Sequence, residues 1–163
     1  MRHRDFRRRR SLVQPFTRTV DAVTGAAMLI RREVIDRIGL FREEYFFGFE
    51  GLDYCLRARQ AGFLTARVGR ASVLHEGNLS IGRTSQLRVY YATRNHLLIA
   101  SRFGAGLRAS RWIRTGSVLV LNLALVATTR DLPRRSGLSG FAAGVRDYFA
   151  RRFGHADEEG ART

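Results

Sequence analysis

The chain has 163 residues, an ordinary length for a single domain, and 45% of them are hydrophobic, which supports a packed core and excludes general disorder. Its formal net charge of +15 would ordinarily indicate binding to nucleic acid or to an anionic membrane face. All 29 basic residues are arginine, so a compositional bias explains part of this charge, although the dense basic run at residues 7–10 keeps an electrostatic role open. A single cysteine, Cys55, excludes an internal disulfide bond and fits a reducing compartment.

The first part of the chain is predicted to be a basic arm or linker over residues 1–19, where charge is high and apolar periodicity is absent. The domain proper follows. Small and apolar residues over 23–30 predict a buried strand that another group approaches closely. A short helix is predicted over residues 33–38, because its apolar residues follow helical spacing and Gly39 supplies a C-terminal stop.

An aromatic and mostly extended segment is predicted over residues 40–49, followed by a helix over residues 52–61. Short strands are predicted over residues 63–68 and 71–74, because a Gly-Arg pair between them indicates a turn. The next loop, residues 75–82, is rich in small and polar residues. Loops at strand ends often carry ligand-binding groups, so this loop is a candidate part of a site.

Three helices are predicted in the second half of the chain, over residues 85–102, around Val118 and over residues 140–153. The apolar stretch at 118–127 is shorter than the roughly 18–20 residues that a membrane-spanning helix needs. It therefore predicts either a buried helix or an interfacial helix on a membrane surface. The final residues, 155–163, predict a flexible tail.

Two carboxylates, Glu50 and Asp53, lie three residues apart where the aromatic segment gives way to the helix. At this spacing they share one helix face, and the N-terminal end of a helix stabilises carboxylates and phosphates. Such a pair is often only a helix cap, so alone it is weak evidence for catalysis. Arg57, one helical turn later, and His75, at a predicted strand end, make the set more informative.

These residues belong to an ordered series of short motifs in residues 20–103: Gly25-Ala26, Arg31-Arg32-Glu33-Val34, Gly39-Leu40-Phe41, Glu44, Phe46-Phe47, Glu50, Asp53, Arg57, Ala61-Gly62-Phe63, His75, Ser80 and Tyr90-Tyr91-Ala92-Thr93-Arg94-Asn95-His96. Each motif is weak alone, and the specificity lies in their order and spacing. The series resembles the family 2 glycosyltransferases of the GT-A fold, in particular the rhamnosyltransferase-like members that build bacterial cell-surface polysaccharides.

The resemblance implies an α/β fold: the acceptor-side half of a GT-A catalytic domain, with mixed strands, over residues 20–103, followed by amphipathic or interfacial helices over residues 104–154. The family's nucleotide-binding half ends in a D-x-D metal motif, and no two aspartates here lie two residues apart. We therefore expect a fragment, a C-terminal half that lacks the nucleotide-binding half. Its partner would be a complementary N-terminal half.

The resemblance further implies transfer of a sugar from a nucleotide-diphosphate sugar to a cell-surface polysaccharide or lipid-linked acceptor, with inversion and with a divalent metal, Mg or Mn. Inversion needs a base that removes the acceptor proton, and the family's acid motif supplies it. The motif's E-D is Glu50-Gly51 here, so its usual base is missing. Either Glu50 or Asp53 takes that role, or transfer is impaired.

Four further residues are candidate ligands, three of them at motif positions of the same resemblance and Arg83 directly after the turn at residues 80–82. His75 is expected to bind the metal, since neutral imidazole is a good ligand for divalent ions, and a backbone-bonded histidine is the alternative. Arg57 is expected either to contact donor phosphates or to pair with Asp53. Gly25 either lets a substrate approach the backbone or packs tightly, and Arg83 either meets phosphate or is solvated.

Two other functions stay open. One is a noncatalytic interaction module derived from this fold, which Gly51 and the missing half both favour. The other is an Arg-rich nucleic-acid binder, which ranks last because the arginines are scattered through the predicted helices without a nucleic-acid motif. The leading hypothesis, a glycosyltransferase, implies a cytoplasmic protein that is peripheral at the inner membrane face through its C-terminal helices.

Overall fold

The computed structural model describes residues 16–73, 75, 85–103 and 108–156. Within this part of the chain most residues are helical, and two short strands form a small sheet. The strands are β1 (Arg18–Val20) and β2 (Thr65–Arg67), and the helices are α1 (Arg32–Ile38), α2 (Glu50–Gln60), α3 (Gln86–Phe103), α4 (Arg108–Thr128) and α5 (Arg134–Phe149).

The sheet pairs β1 with β2 in antiparallel orientation, with Arg18 opposite Arg67 and Val20 opposite Thr65. A mostly helical chain with a small sheet is compatible with part of an α/β fold. The predicted mixture of strand directions, however, does not occur among the described residues. β1 begins just before the end of the predicted basic arm, of which residues 1–15 lie outside the described ranges.

The strand predicted over residues 23–30 is wrong, because residues 24–27 form an exposed turn. The Ala26 N–H donates to Thr24 Oγ1 at 3.4 Å, and such local side-chain bonds favour a turn over a strand ladder. The strand predicted over residues 71–74 is also absent at residues 71–73. There β2 is already paired with β1, and the described chain offers no third strand.

The α1 helix confirms the prediction for residues 33–38, and it packs on α2 through Val34, Tyr54 and Ala58. The α2 helix begins at Glu50, two residues earlier than predicted. Both carboxylates of the acid pair therefore lie in its first turn. Cys55, also in α2, is buried with a free thiol.

The segment predicted to be extended over residues 40–49 is instead compact. It contains a short 3₁₀ turn at Glu43–Tyr45 and then loops back to the start of α2. The extended prediction fails because Tyr45 is fully buried against Leu98 and Ile99 of α3, a tertiary contact that a local pattern does not contain. The residues before α2 are thereby joined to α3.

The α5 helix packs tightly against α3 through glycines. A Cβ atom on Gly140 would lie 2.4 Å from the carbonyl oxygen of Gln86, and one on Gly144 would lie 2.7 Å from the carbonyl oxygen of Tyr90. Side chains do not fit at such distances, so glycine permits this approach. The helix begins six residues before the predicted start at residue 140, because glycine weakens the local helical signal while packing decides the structure.

The α4 helix extends beyond the predicted apolar stretch at both ends and has two different faces. Val118, Asn122 and Val126, spaced four residues apart, are buried, whereas apolar side chains on the opposite side are exposed. The buried alternative agrees with the inward side of this helix, and the interfacial alternative stays a prediction. No helix within the described ranges is long and apolar enough to cross a membrane.

Candidate functional site

The start of α2 follows a loop with an unusual backbone. We call residues 43–49 the aromatic loop, since four of its seven residues are Phe or Tyr. Phe46 and Phe49 have φ angles of 52° and 71°, in the left-handed region that disfavours residues with a side chain, and Gly48 has a φ of 76°. Such conformations persist where surrounding contacts fix them, and they cluster at functional sites.

The contacts that fix the aromatic loop come from two neighbouring residues of α3, which we call the Arg94–Asn95 clamp. The Asn95 side-chain amide donates to the carbonyl oxygens of Tyr45 at 2.7 Å, Phe47 at 2.9 Å and Gly48 at 3.2 Å. The Arg94 guanidinium also donates to the Tyr45 carbonyl, at 3.2 Å. Both side chains are almost completely buried, so their donors are directed at the loop backbone rather than at water.

The clamp extends to the segment that follows α5. Arg94 donates to the Gly154 carbonyl at 2.9 Å, and the Gly154 N–H donates to the carbonyl of Glu44 in the aromatic loop at 2.8 Å. The His155 ring meets the edge of the Phe46 ring at 4.5 Å between centroids. The first residue of the predicted flexible tail, His155, thus contacts the aromatic loop, while residues 157–163 lie outside the described ranges.

His96, the next residue of α3, joins α4 to the same loop. Its ring stacks on that of Phe49, with 5.4 Å between centroids, and its Nδ1 lies 3.0 Å from the side-chain amide nitrogen of Asn122. The amide donates and Nδ1 accepts, which requires a neutral imidazole. Burial lowers the pKa of His96, so the neutral form is favoured.

Asp53 is fully buried, and its carboxylate is held by several donors. Arg57 Nε donates to Oδ2 at 2.8 Å, and the Tyr45 hydroxyl donates to Oδ1 at 3.1 Å. Arg57 also donates to the carbonyl oxygens of Ile38 and Leu40. Burial raises the pKa of Tyr45 to about 12, which keeps its hydroxyl a donor. Of the two roles open for Arg57, the structure displays the pair with Asp53.

Glu50 has a different environment. Its Oε2 atom is buried, yet it has no hydrogen-bond partner among the described residues. The side chain lies between two clefts of about 360 Å³ and 510 Å³ and lines both of them. The smaller one, which we call the Gly25 cleft, is bordered by Gly25, and a Cβ atom on that glycine would lie 3.4 Å from Glu50 Oε1. A carboxylate that lines a cleft and has an oxygen without a partner can take a proton from a bound hydroxyl.

The family described as "Glycosyltransferase like family 2" matches residues 2–96, more than half of the chain. The chain belongs to this family. It is also similar to the proteins named N-acetylglucosaminyl-diphospho-decaprenol L-rhamnosyltransferase in two Mycobacterium tuberculosis strains, CDC 1551 / Oshkosh and ATCC 25618 / H37Rv. Each is 31% identical over 133 residues, which cover 80% of this chain and 43% of the relative. The chain thus spans less than half the length of these relatives, and no solved structure matches it.

Membership in the glycosyltransferase-like family 2 gives Gly51 a particular interest, because the family resemblance expects an acid there. Gly51 is buried, and a Cβ atom on it would lie 3.1 Å from the backbone nitrogen of Gly25. A longer side chain would push the turn at residues 24–27 away from α2. The glycine therefore allows the close approach that sets Gly25 beside Glu50.

The metal predicted from the family resemblance finds no complete set of ligands among the described side chains. Within the described ranges, no group of three or more His, Cys, Asp or Glu side chains could hold a metal ion. His75 is exposed, and Arg83 lies outside the described residues. We therefore derive no step through a metal, and the roles of His75 and Arg83 stay predictions.

The structure brings together two pairs of the predicted site residues, Gly25 with Glu50 and Asp53 with Arg57. Sequence reasoning gave no role to Arg94 and Asn95, although they stood in a motif of the resemblance. The signal that could have revealed them is a charged residue and an amide side by side on a helix, with Tyr90-Tyr91 one turn before them and Leu97-Leu98 shortly after. Buried polar groups in such a position must find partners, and here the partners are loop carbonyls.

Proposed function

We propose that the chain supplies the acceptor-side part of a glycosyltransferase, with Glu50 as the base that activates the acceptor hydroxyl. The observation that carries this proposal is the buried, unpartnered Oε2 of Glu50 between two clefts at the start of α2. The family supports sugar transfer in general. The relatives' name supports an L-rhamnosyl donor and a diphospho-polyprenol acceptor as the substrate class.

The proposed step is a single displacement with inversion at the sugar. The acceptor hydroxyl gives its proton to the Glu50 carboxylate while its oxygen bonds to the anomeric carbon. The bond from that carbon to the diphosphate oxygen breaks, and the nucleoside diphosphate leaves with the electron pair. The Gly25 cleft is the proposed place of the acceptor hydroxyl, because Gly25 leaves room for a substrate beside Glu50.

Asp53 is the weaker candidate for the base. A base must reach the proton that it takes. Glu50 is half-buried and lines two clefts, whereas Asp53 lines neither, has no exposed surface and already accepts hydrogen bonds at both oxygens. We assign Asp53 and Arg57 to positioning, since together they tie the first turn of α2 to the carbonyls of Ile38 and Leu40. Donor phosphates would then be met by other groups, for which Arg83 stays a candidate.

The donor site and the remaining ligands of a divalent cation would lie outside the described residues. A nucleotide-binding part, whether on this polypeptide or on another, would have to supply the donor site. A divalent cation would need ligands in addition to His75, because the described residues do not complete a site. A diphospho-polyprenol acceptor would place the protein at the cytoplasmic face of a membrane.

A noncatalytic interaction module is the second candidate, and Gly51 is the observation that favours it. Glycine replaces the family's usual base, and it packs on the backbone of Gly25 as a structural residue would. The nucleic-acid alternative has less support. Several arginines, Arg57, Arg94 and Arg114 among them, direct their guanidinium groups at backbone carbonyls within the fold.

The test measures transfer of labelled L-rhamnose from its nucleotide-diphosphate donor to N-acetylglucosaminyl-diphospho-polyprenol. It uses the 163-residue chain and a chimera in which residues 16–156 replace the matching segment of the Mycobacterium tuberculosis relative. Glu50→Gln should lower the rate about 100-fold or more, the usual contribution of a general base. Glu33→Gln, at an exposed carboxylate of α1, is the matched control.

A second readout works without turnover. Since Glu50 Oε2 is buried without a partner, Glu50→Gln should leave the melting temperature unchanged or raise it. Equal transfer rates in Glu50→Gln and the unmutated chimera would exclude Glu50 as the base. A folded chimera that transfers no sugar would favour the noncatalytic module.

A further inference from the structure

The outward face of α4 is a continuous apolar surface. We call this the α4 face: Ile113, Val120, Leu121, Leu123 and Leu125, each between 43% and 72% exposed. No charged residue occurs from position 115 to position 129. Exposed apolar patches of this kind mark sites of interaction with a membrane or another protein.

The α4 face is distinct from the side of the helix that packs inward. The opposite side of the helix already packs inward through Val118, Asn122 and Val126, and Asn122 bonds to His96 of α3. Arg114 adds a bond to the carbonyl of Ala100 at 3.0 Å. These contacts fix the rotation of α4 and hold its apolar side outward.

Positive charges lie at both ends of the α4 face. Arg111 precedes it and stacks on the neighbouring Trp112, and Arg130, Arg134 and Arg135 follow it, all of them exposed. Between residues 108 and 135 the sequence contains a single acid, Asp131. An apolar stripe with arginines and a tryptophan at its borders has the composition of a helix that lies in a lipid interface.

We propose that the α4 face docks on an anionic lipid surface, with α4 lying in the plane of the interface and its arginines at the headgroups. A second copy of the chain would fit this face less well than anionic lipid, because of the positive charge at both ends of the face. If two α4 faces met, parallel or antiparallel, arginine-rich ends would oppose each other and repel. Anionic headgroups complement the same ends. The proposal does not depend on sugar transfer, because docking needs only this face.

The experiment is sedimentation of the full chain with phosphatidylcholine vesicles that contain or lack phosphatidylglycerol. Trp112 is the only tryptophan of the chain and is 64% exposed, so its emission reports the environment of the α4 face directly. We expect binding and a blue shift of the emission only with the anionic vesicles. Binding should weaken with added salt, since charged headgroups supply part of the attraction.

Matched variants separate the contributions of apolar surface and charge. Val120→Glu should weaken vesicle binding about tenfold or more, because it places a carboxylate in the apolar stripe. Leu29→Glu is the control, since Leu29 is 100% exposed and lies outside α4. Arg130→Gln should weaken binding about fivefold, the expected contribution of one arginine near an anionic surface, and Arg37→Gln of α1 should leave it unchanged.

Three results would overturn the proposal. The first is equal vesicle binding by Val120→Glu and the unmutated chain, with both melting at the same temperature. The second is equal binding to vesicles with and without phosphatidylglycerol. The third is a dimer in solution that Val120→Glu dissociates while vesicle binding is absent, which would assign the α4 face to a second copy of the chain.

Discussion

Replacing Asp53 by asparagine tests whether this carboxylate is a structural anchor. The change keeps the size of the side chain and removes its charge. Arg57, whose side chain is only 11% exposed, would lose its charged partner at 2.8 Å. An asparagine at the fully buried position 53 could no longer neutralise the positive charge of Arg57. The Tyr45 hydroxyl could still donate to the new amide oxygen, and Arg57 would keep its bonds to the Ile38 and Leu40 carbonyls.

The expected loss in the free energy of unfolding follows from these contacts. Removing one partner of a buried ion pair destabilises a protein by about 3–5 kcal/mol, and the retained bonds place Asp53→Asn near the lower end, at about 3 kcal/mol. For a chain of this size each kcal/mol lowers the melting temperature by about 2–4 °C, so the expected fall is about 6–12 °C. Such a loss is a large part of the roughly 5–15 kcal/mol that stabilises a typical domain.

The α1 helix offers a matched control. Arg32 Nε donates to Asp36 Oδ1 at 2.8 Å, the same distance as in the Asp53–Arg57 pair and the same four-residue spacing, but both side chains are more than half exposed. Exposed pairs contribute only about 0.3–0.5 kcal/mol, so Asp36→Asn should lower the melting temperature by about 1–2 °C. Thermal unfolding followed by circular dichroism measures both. Equal shifts in the two variants would refute the anchoring role, and full stability of Asp53→Asn together with lost transfer would restore Asp53 as a candidate base.

Two further predictions concern packing and pH. Gly144→Ala should lower the free energy of unfolding, measured in urea, by about 1–3 kcal/mol, because its Cβ atom would meet the Tyr90 carbonyl. Gly116→Ala in α4, with open space around it, should raise the free energy of unfolding by up to about 1 kcal/mol. A gain in both variants would show that α5 can shift away from α3. The lowered pKa of His96 means that the unfolded chain binds the proton more readily, so stability should be full above pH 6.5 and fall as the pH drops through the lower folded value. This slope should flatten in His96→Gln and persist in His155→Gln, and an unchanged slope in His96→Gln would exclude His96 as its source.

The sequence allowed some features to be predicted because they are local. The pairing of Asp53 with Arg57 follows from their four-residue spacing on one helix, and the structure confirms it as one of the two roles left open for Arg57. The helices were found because apolar periodicity is strong in them. The start of α5 was misplaced, since Gly140 and its neighbours weaken a local helical pattern and act only through contact with α3.

Other features could not be predicted because they depend on distant residues. The sequence left Glu50 and Asp53 as alternative bases, and only Asp53 is bonded to the Tyr45 side chain, whose position depends on α3. The partners of Asn95 lie 47 to 50 residues earlier in the chain, where no periodic pattern points to them. Asp53 is therefore bonded and Glu50 unpartnered because of tertiary contacts, which the local sequence does not contain.

The Arg94–Asn95 clamp also bears on the order in which the site can form. Gly154 bonds both to Arg94 and to Glu44 of the aromatic loop, so a growing chain that has not yet reached residue 154 lacks part of what holds that loop. Until then the loop is held by Asn95 and by the burial of Tyr45 against α3, without the bonds of Gly154 beside the left-handed Phe46. Contacts between residues so far apart in sequence form late in folding. The full set of bonds that holds the loop in front of Glu50 is therefore complete only after α5 and the segment that follows it have docked.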